Sequence, residues 1–340
     1  MKIWLPVIRG GSGTDVFTRR LAIALEKRGI RTQVSWFPAC FEFAPYLLRY
    51  ATPPSGTTIV HANSWNAFSF YRHGIPLVAT EHLGTLDQAP GFRSSLQKMY
   101  HSTFIRRFAE RSMTRATAVT AVSRYAADTI DRAGMRRDIK VIYNWIDTHR
   151  FRPPTAASAI RKPESRQTRL LFMGNPSVRK GADLLAPIMR ELGPNFTLTY
   201  TAGLQSRALS DVATNMRNVG RIDDEDEIIR LYQDTDILLF PTRQEGFGLA
   251  ALEAMACGVP VIATRGTALP EVVEDGVTGM LCPEGDVPAF VTACRLLGAD
   301  RHLWQATSAG ARRRAEMLFS EDIIIPQYIG LYEALLSGTP

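Results

Sequence analysis

Cysteine is scarce in this chain of 340 residues: Cys40, Cys257, Cys282 and Cys294 are separated by 217, 25 and 12 positions. None forms the close pair that a zinc site or a redox dithiol needs, so the four read as small buried thiols in a reducing compartment. Long apolar runs are also missing. The longest candidate is interrupted by Glu253, well short of the roughly 18 residues that a membrane-spanning helix requires. The opening MKIWLPVI runs straight into Arg9 and a glycine loop, which suits a first strand better than a signal-peptide core. The chain is therefore expected to be soluble and cytoplasmic. No solenoid-period repeat or low-complexity tract is present. No Asp-x-Asp pair marks a predicted strand end. Asp223, Asp224 and Asp226 fall in the charged run IDDEDE, which reads as a helix start, where acids favour the positive end of the dipole.

Hydrophobic residues make up 45% of the sequence, charged residues 21% and aromatic residues 9%. These are globular proportions that exclude a disordered or fibrous chain, and the length suits about two domains. The net charge of +7 is unevenly spread. Residues 1–150 hold 21 Lys and Arg against 10 Asp and Glu, a net +11, and the remaining 19 and 23 leave −4. Either the first half faces something anionic, such as a phosphorylated substrate, a membrane surface or nucleic acid, or its charge is an ordinary solvated surface. No base-stacking aromatic pattern accompanies the charge, so nucleic acid is not expected.

Short β-branched runs alternate with helical periods: KIWLPVI, a helix near 15–28, TQVSWF, TTIVHA, PLVATEH, a helical stretch near 94–115, AVTAVS, a helix near 124–133, and KVIY. Strands separated by helices mean a parallel sheet covered on both faces. After Asn144 the texture changes to FRPPTAASAIRKPESRQT, with three prolines and no apolar period, which reads as a linker. A second alternation follows: RLLFMG, a helix near 182–192, FTLTYTAG, a helix near 226–233, DILLFP, a helix near 249–256, VPVIAT and GMLC. The expected architecture is α/β, with two doubly wound parallel-sheet domains facing a cleft. The expected boundaries are 1–152, a linker at 153–168, 169–320, and a terminal helix at 321–340 crossing back to the first domain. Ligands in such sheets bind at the carboxyl ends of the strands.

The strongest chemical signal is FPTRQEGFGLAALEAMACGVPVIAT, residues 240–264. Glu245 falls in a loop at a strand's carboxyl end, and Glu253 falls on the helix that follows. Between them the backbone N–H groups of Phe247, Gly248 and Leu249 are placed to receive a phosphate or sugar hydroxyls. The blander alternative makes Glu253 a helix-surface carboxylate and the glycines mere turn formers. Gly10, Gly11, Ser12 and Gly13 stand between the first strand and its helix, where bare backbone can approach phosphate or sugar. They do not complete a dinucleotide fingerprint. Val16 stands at the third glycine position, and no acid ends TQVSWF.

The Glu-x7-Glu segment closely resembles the donor motif of retaining, nucleotide-sugar-dependent glycosyltransferases of family 4, which have the two-Rossmann-domain GT-B fold. The resemblance covers nearly the whole chain, through RGGSGTD, VHANSW, PLVATEH, AVSRYAADTI, VIYNWIDTHRFRP, GNPSVRKGADLL, VGRIDDEDEIIRLYQDTDILLFPT and LPEVVEDGVTGMLC. It implies that Glu245 hydrogen-bonds donor-sugar hydroxyls and that Glu253 accepts from the ribose diol. It implies a diphosphate clamp in GNPSVRKG, with Lys180 at the second basic position. Asn175 stands where the family has the first basic residue, and Arg179 is the candidate substitute, unless it is a solvent-facing residue before a helix. The resemblance further implies a base-contacting backbone at Arg221 and Ile222, and a glycine loop of residues 10–13 on the acceptor side. It places His82 near the reacting centre, while His61 has weaker support and could be a satisfied core histidine. Trp145 replaces the family's usual glycine in the YNWID turn that Asn144 and Asp147 mark.

The implied activity is transfer of a hexose from a UDP- or GDP-sugar to a carbohydrate or lipid-linked acceptor, with retention, in envelope polysaccharide or glycolipid synthesis. No cofactor is expected, and no metal, because Lys180 and helix N-termini take the cation's role. The alternative from another class is a non-catalytic nucleotide-sugar-binding subunit. Peripheral attachment at the inner face of an anionic membrane is a further expectation. It rests on Arg106, Arg107, Arg111 and Arg115, which accompany Leu96, Met99, Tyr100, Phe104 and Phe108 along one helical stretch, although the apolar stripe alone could simply pack on the sheet.

Overall fold

The computed structural model describes residues 1–11, 13–83, 101–154, 167–202, 209 and 211–338, the side chains of residues 101 and 102 excepted. The chain divides into two compact units, Met1–Asn144 with Glu321–Pro340, and Trp145–Ser320.

The first unit is built on six parallel strands, β1 (Lys2–Ile8), β2 (Arg31–Phe37), β3 (Ile59–Asn63), β4 (Leu77–Glu81), β5 (Ala118–Ala121) and β6 (Ile139–Val141), in the order β2-β1-β3-β4-β5-β6. Helices α1 (Gly13–Glu26), α2 (Arg106–Arg115), α3 (Arg124–Arg132) and the C-terminal helix Glu321–Ser337 belong to the same unit. In α1 the apolar positions Phe17, Leu21, Ala24 and Leu25 share one face, and all four are buried. Ser123 caps α3, its hydroxyl accepting from the Ala126 N–H at 3.0 Å. Trp4, Phe70, Val60, Leu77 and Ile130 belong to one core cluster, with Trp4 edge-on to Phe70 at 5.6 Å. Each such side chain contributes about 1.5–3 kcal/mol on full burial. Tyr328 and Tyr332 of the C-terminal helix are completely buried, and Arg28 pairs with Glu321 at 3.0 Å and Asp322 at 2.7 Å.

The second unit has strands β7 (Thr168–Phe172), β8 (Phe196–Tyr200), β9 (Met216–Asn218), β10 (Ile237–Phe240), β11 (Val261–Thr264) and β12 (Gly279–Cys282), again all parallel, in the order β12-β11-β10-β7-β8-β9. Its helices are α4 (Ala182–Leu192), α5 (Glu225–Gln233), α6 (Leu249–Ala256), α7 (Leu269–Val272), α8 (Val287–Ala299) and α9 (Arg301–Phe319). Both sheets are doubly wound. The direction of strand addition reverses between β1 and β3 in the first and between β7 and β10 in the second, and loops leaving the carboxyl ends there diverge to form a crevice.

Two expectations need adjustment. Residues 145–152, assigned from sequence to the first domain, lie with the second unit. The Ile146 N–H donates to the Phe319 carbonyl at 2.9 Å, and the Arg312 guanidinium donates to the carbonyls of Thr148, Phe151 and Ala256. Of the expected linker, residues 155–166 lie outside the described residues. In the stretch near 94–115, Leu96, Met99 and Tyr100 also lie outside them, and residues His101–Ile105 form a π turn leading into α2. There Phe108 is buried and stacks on Phe68 at 5.4 Å, whereas Phe104, Arg106, Arg107, Arg111 and Arg115 are exposed. Of the two described stripe residues Phe108 is buried and Phe104 is not, and the arginines remain on the surface.

Candidate donor and acceptor sites

In the second unit the loops after β7 and β10 meet at the switch point. Ser177 caps the 3₁₀ turn Val178–Lys180, its hydroxyl accepting from the Lys180 N–H at 3.3 Å. Gly181 follows in the left-handed region with φ 73°, and a Cβ there would lie 2.0 Å from the Pro241 carbonyl oxygen. Only glycine lets the two loops approach so closely.

That contact brings Lys180 to Glu245. The ammonium is ion-paired with Glu245 Oε1 and lies 5.4 Å from the Phe240 ring centroid. The Thr242 hydroxyl donates to the same carboxylate oxygen at 3.2 Å. The Glu245 backbone is held by its N–H to Thr267 Oγ1 at 3.3 Å and by its carbonyl from the Ala268 N–H at 3.4 Å. Glu245 is buried, and its Oε2 has no hydrogen-bond partner among the described residues. The site is thus a preformed carboxylate and ammonium pair with one acceptor atom open.

Phe247 is buried edge-on to Phe319 at 5.5 Å, so only its backbone can serve a ligand. Gly248, with φ 100°, caps α6, and a Cβ there would come within 2.9 Å of Leu269 Cδ2. Leu249 opens the helix. Glu253, one turn further, is half-buried and accepts from the Tyr232 hydroxyl at 3.0 Å. Tyr232 itself is completely buried, and no local pattern in the sequence connects it to a carboxylate 21 positions away.

Of the residues expected to form the clamp at 174–181, Lys180 is ion-paired with Glu245 and Asn175 is exposed. The Arg179 guanidinium donates to the Gln244 carbonyl at 3.0 Å, and its own carbonyl accepts from the Arg243 N–H at 2.9 Å. Arg179 therefore stitches the two loops together instead of facing solvent. Arg243, which the sequence did not single out, holds Asp183 at 2.6 and 2.8 Å and donates to the Val178 carbonyl at 2.6 Å. Arg221 is exposed and donates to Asp223 at 2.6 Å, with Ile222 half-buried beside it. Both lie between β9 and α5, away from the Lys180 and Glu245 loops in sequence. Asp224 caps α5 by accepting from the Glu227 N–H at 2.8 Å, which explains the acidic run as a helix start.

In the first unit the glycine loop differs from its expected use. The N–H groups of Gly10 and Gly11 donate to the Asp15 carboxylate at 3.2 and 2.8 Å, so a side chain of the first α1 turn already takes them. Gly13 opens α1, and Ser12 lies outside the described residues.

His82 follows β4, its ring edge-on to Phe17 at 4.5 Å. Burial lowers its pKa from 6.5 to about 3, so the ring is neutral at physiological pH. His61 is a satisfied core histidine. Nδ1 meets Tyr332 Oη at 2.6 Å and Nε2 meets Thr80 Oγ1 at 2.5 Å, and burial, then the charge of His82, lowers its pKa to about 3. Glu81, passed over in the sequence, is buried. It accepts from Ser64 Oγ at 2.6 Å and from the Leu83 N–H at 3.1 Å, bracketing His82. At the unit boundary Asn144 and Trp145 are buried, and Asp147 Oδ1 accepts from the N–H groups of His149 and Arg150 at 3.0 and 3.1 Å.

Two parallel, doubly wound sheets of six strands each define the GT-B fold. Sucrose-phosphate synthase from Thermosynechococcus elongatus has the same fold, with a TM-score of 0.82 over 99% of both chains at 20% identity. Anabaena HepE, solved with UDP and glucose, gives 0.76 over 98% of this chain and all of its own at 18% identity. Residues 167–300 match the model for glycosyl transferases group 1, and residues 34–150 match that for glycosyltransferase family 4. The chain belongs to this family of group-transfer enzymes, glycosyltransferase family 4. It is 29% identical to glycogen synthase from Mycobacterium tuberculosis over 298 residues, 82% of this chain and 69% of that protein. The first curated relatives are matched over 64 to 69% of their own lengths.

Proposed function

We propose that the protein is a retaining glycosyltransferase that moves a hexose from a UDP- or GDP-sugar to a carbohydrate or lipid-linked acceptor in envelope polysaccharide or glycolipid synthesis. The observation that carries this is the Lys180–Glu245 pair at the β7/β10 switch point, beside the start of α6. It supplies the two functions that a sugar diphosphate needs. Lys180 and the α6 N–H groups stabilise negative charge on the departing diphosphate, and the carboxylate accepts hydrogen bonds from sugar hydroxyls. An arriving diphosphate competes with Glu245 for Lys180 and frees Oε1 to join Oε2 as an acceptor.

In the proposed step the bond from the anomeric carbon to the diphosphate oxygen breaks, and its electron pair stays on that oxygen. The acceptor hydroxyl attacks from the same face and its proton passes to the leaving diphosphate, so configuration is retained without a separate base. The neutral His82 ring offers a hydrogen bond to a sugar hydroxyl without adding charge. Glu253, oriented by Tyr232, is assigned to the ribose diol. Resident metal and cofactor play no part in this proposal, and attachment to an anionic membrane through the exposed arginines of α2 accompanies it.

The single uncharged residue at the first clamp position, Asn175, favours the second reading, a nucleotide-sugar-binding subunit. A panel of UDP- and GDP-sugars separates the two: an enzyme releases UDP or GDP, identified by mass, whereas a binding subunit shows affinity and no release. Absence of both binding and release across the panel would sink both readings.

A further inference from the structure

Outside the donor loops, the first unit carries a cluster that the proposed reaction does not use. Arg9 leaves the carboxyl end of β1, fixed by its N–H to the Phe37 carbonyl at 2.9 Å. Trp36 is the penultimate residue of β2, in register with Val7. Arg19 projects from the exposed flank of α1, next to the buried Phe17 and Thr18. The guanidinium carbons of Arg9 and Arg19 lie 5.7 and 5.9 Å from the centroid of the same indole. Both arginines are exposed, and among the described residues neither has a carboxylate partner. Elsewhere in the same unit Arg28 and Arg136 are paired with carboxylates at 2.7 Å. The nearest acid in sequence, Asp15, stands one turn before Arg19 on α1 but gives its carboxylate to the Gly10 and Gly11 N–H groups.

We infer that Arg9, Trp36 and Arg19 form an anion site that takes a phosphate group carried by the acceptor; this rests on the glycosyltransferase reading. At these distances both guanidinium groups lie within cation–π range of the indole, a contact that takes up none of their N–H groups. A guanidinium fork matches two phosphate oxygens, and two such forks suit a phosphate better than a neutral hydroxyl. Two like charges near one ring repel each other, and a bound anion relieves that repulsion. The cluster lies where β1 and β2 end, beside the loop at the first unit's β1/β3 switch point, the edge at which a doubly wound sheet receives ligands. With the Gly10 and Gly11 N–H groups already bonded to Asp15, the guanidinium groups of Arg9 and Arg19 are the charged donors that an anion meets there. The phosphate belongs either to a soluble sugar phosphate or to a lipid headgroup.

The test uses the full chain saturated with UDP, so that the Lys180 region is occupied, and titrates inorganic phosphate by calorimetry. Vesicles of phosphatidylglycerol and of phosphatidylcholine form the second arm. Wild type is compared with Arg9→Gln and Arg19→Gln, both at exposed positions, with melting temperature as the check on folding. Phosphate affinity is expected to fall at least tenfold in each variant while UDP affinity is unchanged. Phosphate binding without preference for phosphatidylglycerol assigns a soluble acceptor. Preference for phosphatidylglycerol that both substitutions weaken assigns a lipid headgroup. Binding of neither phosphate nor phosphatidylglycerol by wild type, or binding that both variants retain in full, overturns the site. A wild-type chain that binds neither UDP nor GDP breaks the donor reading instead, and the phosphate arm is then read without nucleotide; a chain that binds GDP alone is titrated with GDP in place of UDP.

Discussion

Replacing Lys180 by Met removes the cation from a carboxylate that is 7% exposed. Removing one partner of a buried ion pair costs about 3–5 kcal/mol, because the other charge is left uncompensated. The Thr242 hydroxyl still donates to Glu245 Oε1, which places the expected loss near the lower end, about 3 kcal/mol. In a unit of this size that corresponds to a melting point lower by roughly 6–12 °C. Glu245→Gln is milder. It strands an ammonium whose side chain is 18% exposed and can turn to water, at about 1–2 kcal/mol. In the double variant neither orphaned charge exists, so the two losses should fall short of additivity by about 2 kcal/mol, a coupling expected of residues in direct contact. Urea denaturation of the four proteins, followed by circular dichroism, measures this cycle. Catalysis is read in parallel by nucleotide release. Lys180→Met should lower turnover by about 10²–10³-fold, the loss typical when one preorganised donor to a developing anion is removed. Coupling below about 0.5 kcal/mol together with undiminished nucleotide release would refute both the pairing and the clamp.

Further outcomes follow from the same geometry. Gly181→Ala should separate the β7 and β10 loops, because its Cβ would meet the Pro241 carbonyl at 2.0 Å, whereas Gly285→Ala, a turn glycine with φ 74° and nothing within 4 Å, should cost only about 1 kcal/mol of backbone strain; thermal melts that rank them the other way contradict this. Glu245→Ala should chiefly lower kcat and Glu253→Ala chiefly weaken donor binding. Tyr232→Phe should mimic Glu253→Ala more weakly, by about three- to tenfold in nucleotide affinity, and equal effects on kcat from all three would undo the division of roles. His61 is held neutral with its pKa lowered from 6.5 to about 3. The unfolded chain therefore binds the extra proton between those values, and stability falls as pH drops below 6.5. At pH 5 the His61 contribution to that loss is about 2 kcal/mol, and His61→Gln should flatten the pH–stability curve between pH 6.5 and 5 by that amount in urea titrations. Co-sedimentation with anionic liposomes should weaken with salt and with Ala at Arg107 and Arg111, whereas indifference to lipid charge would favour a soluble acceptor.

The architecture was legible because each strand of a parallel sheet is buried on both faces and reads as a short β-branched run between helices. The starts of α4 and α6 and the strand ends before Gly174 and Pro241 came from that alternation alone; Glu245 was selected by its place at such an end, and Lys180 by the resemblance to the family's diphosphate clamp. Glu81, Tyr232 and Arg243 were not selected. Each takes its role from a partner far away in sequence or in another loop: Ser64 for Glu81, Glu253 for Tyr232 and Asp183 for Arg243. The unit boundary was misplaced for the same reason, since residues 145–152 carry a linker-like texture but are tied down by Arg312 and the Phe319 carbonyl.

The sequence by itself determined the two doubly wound sheets, the loops at their strand ends and the residue types those loops present, because hydrophobic period and glycine placement are local properties of the chain. Only the tertiary structure decided that Glu245 is paired with Lys180, that Arg179 binds a backbone carbonyl, that Asp15 takes the glycine-loop N–H groups and that Arg9 and Arg19 share one indole. Those outcomes depend on which side chains compete for the same partner once the loops are brought together, and the competition is settled by distances that exist only after the sheets have formed.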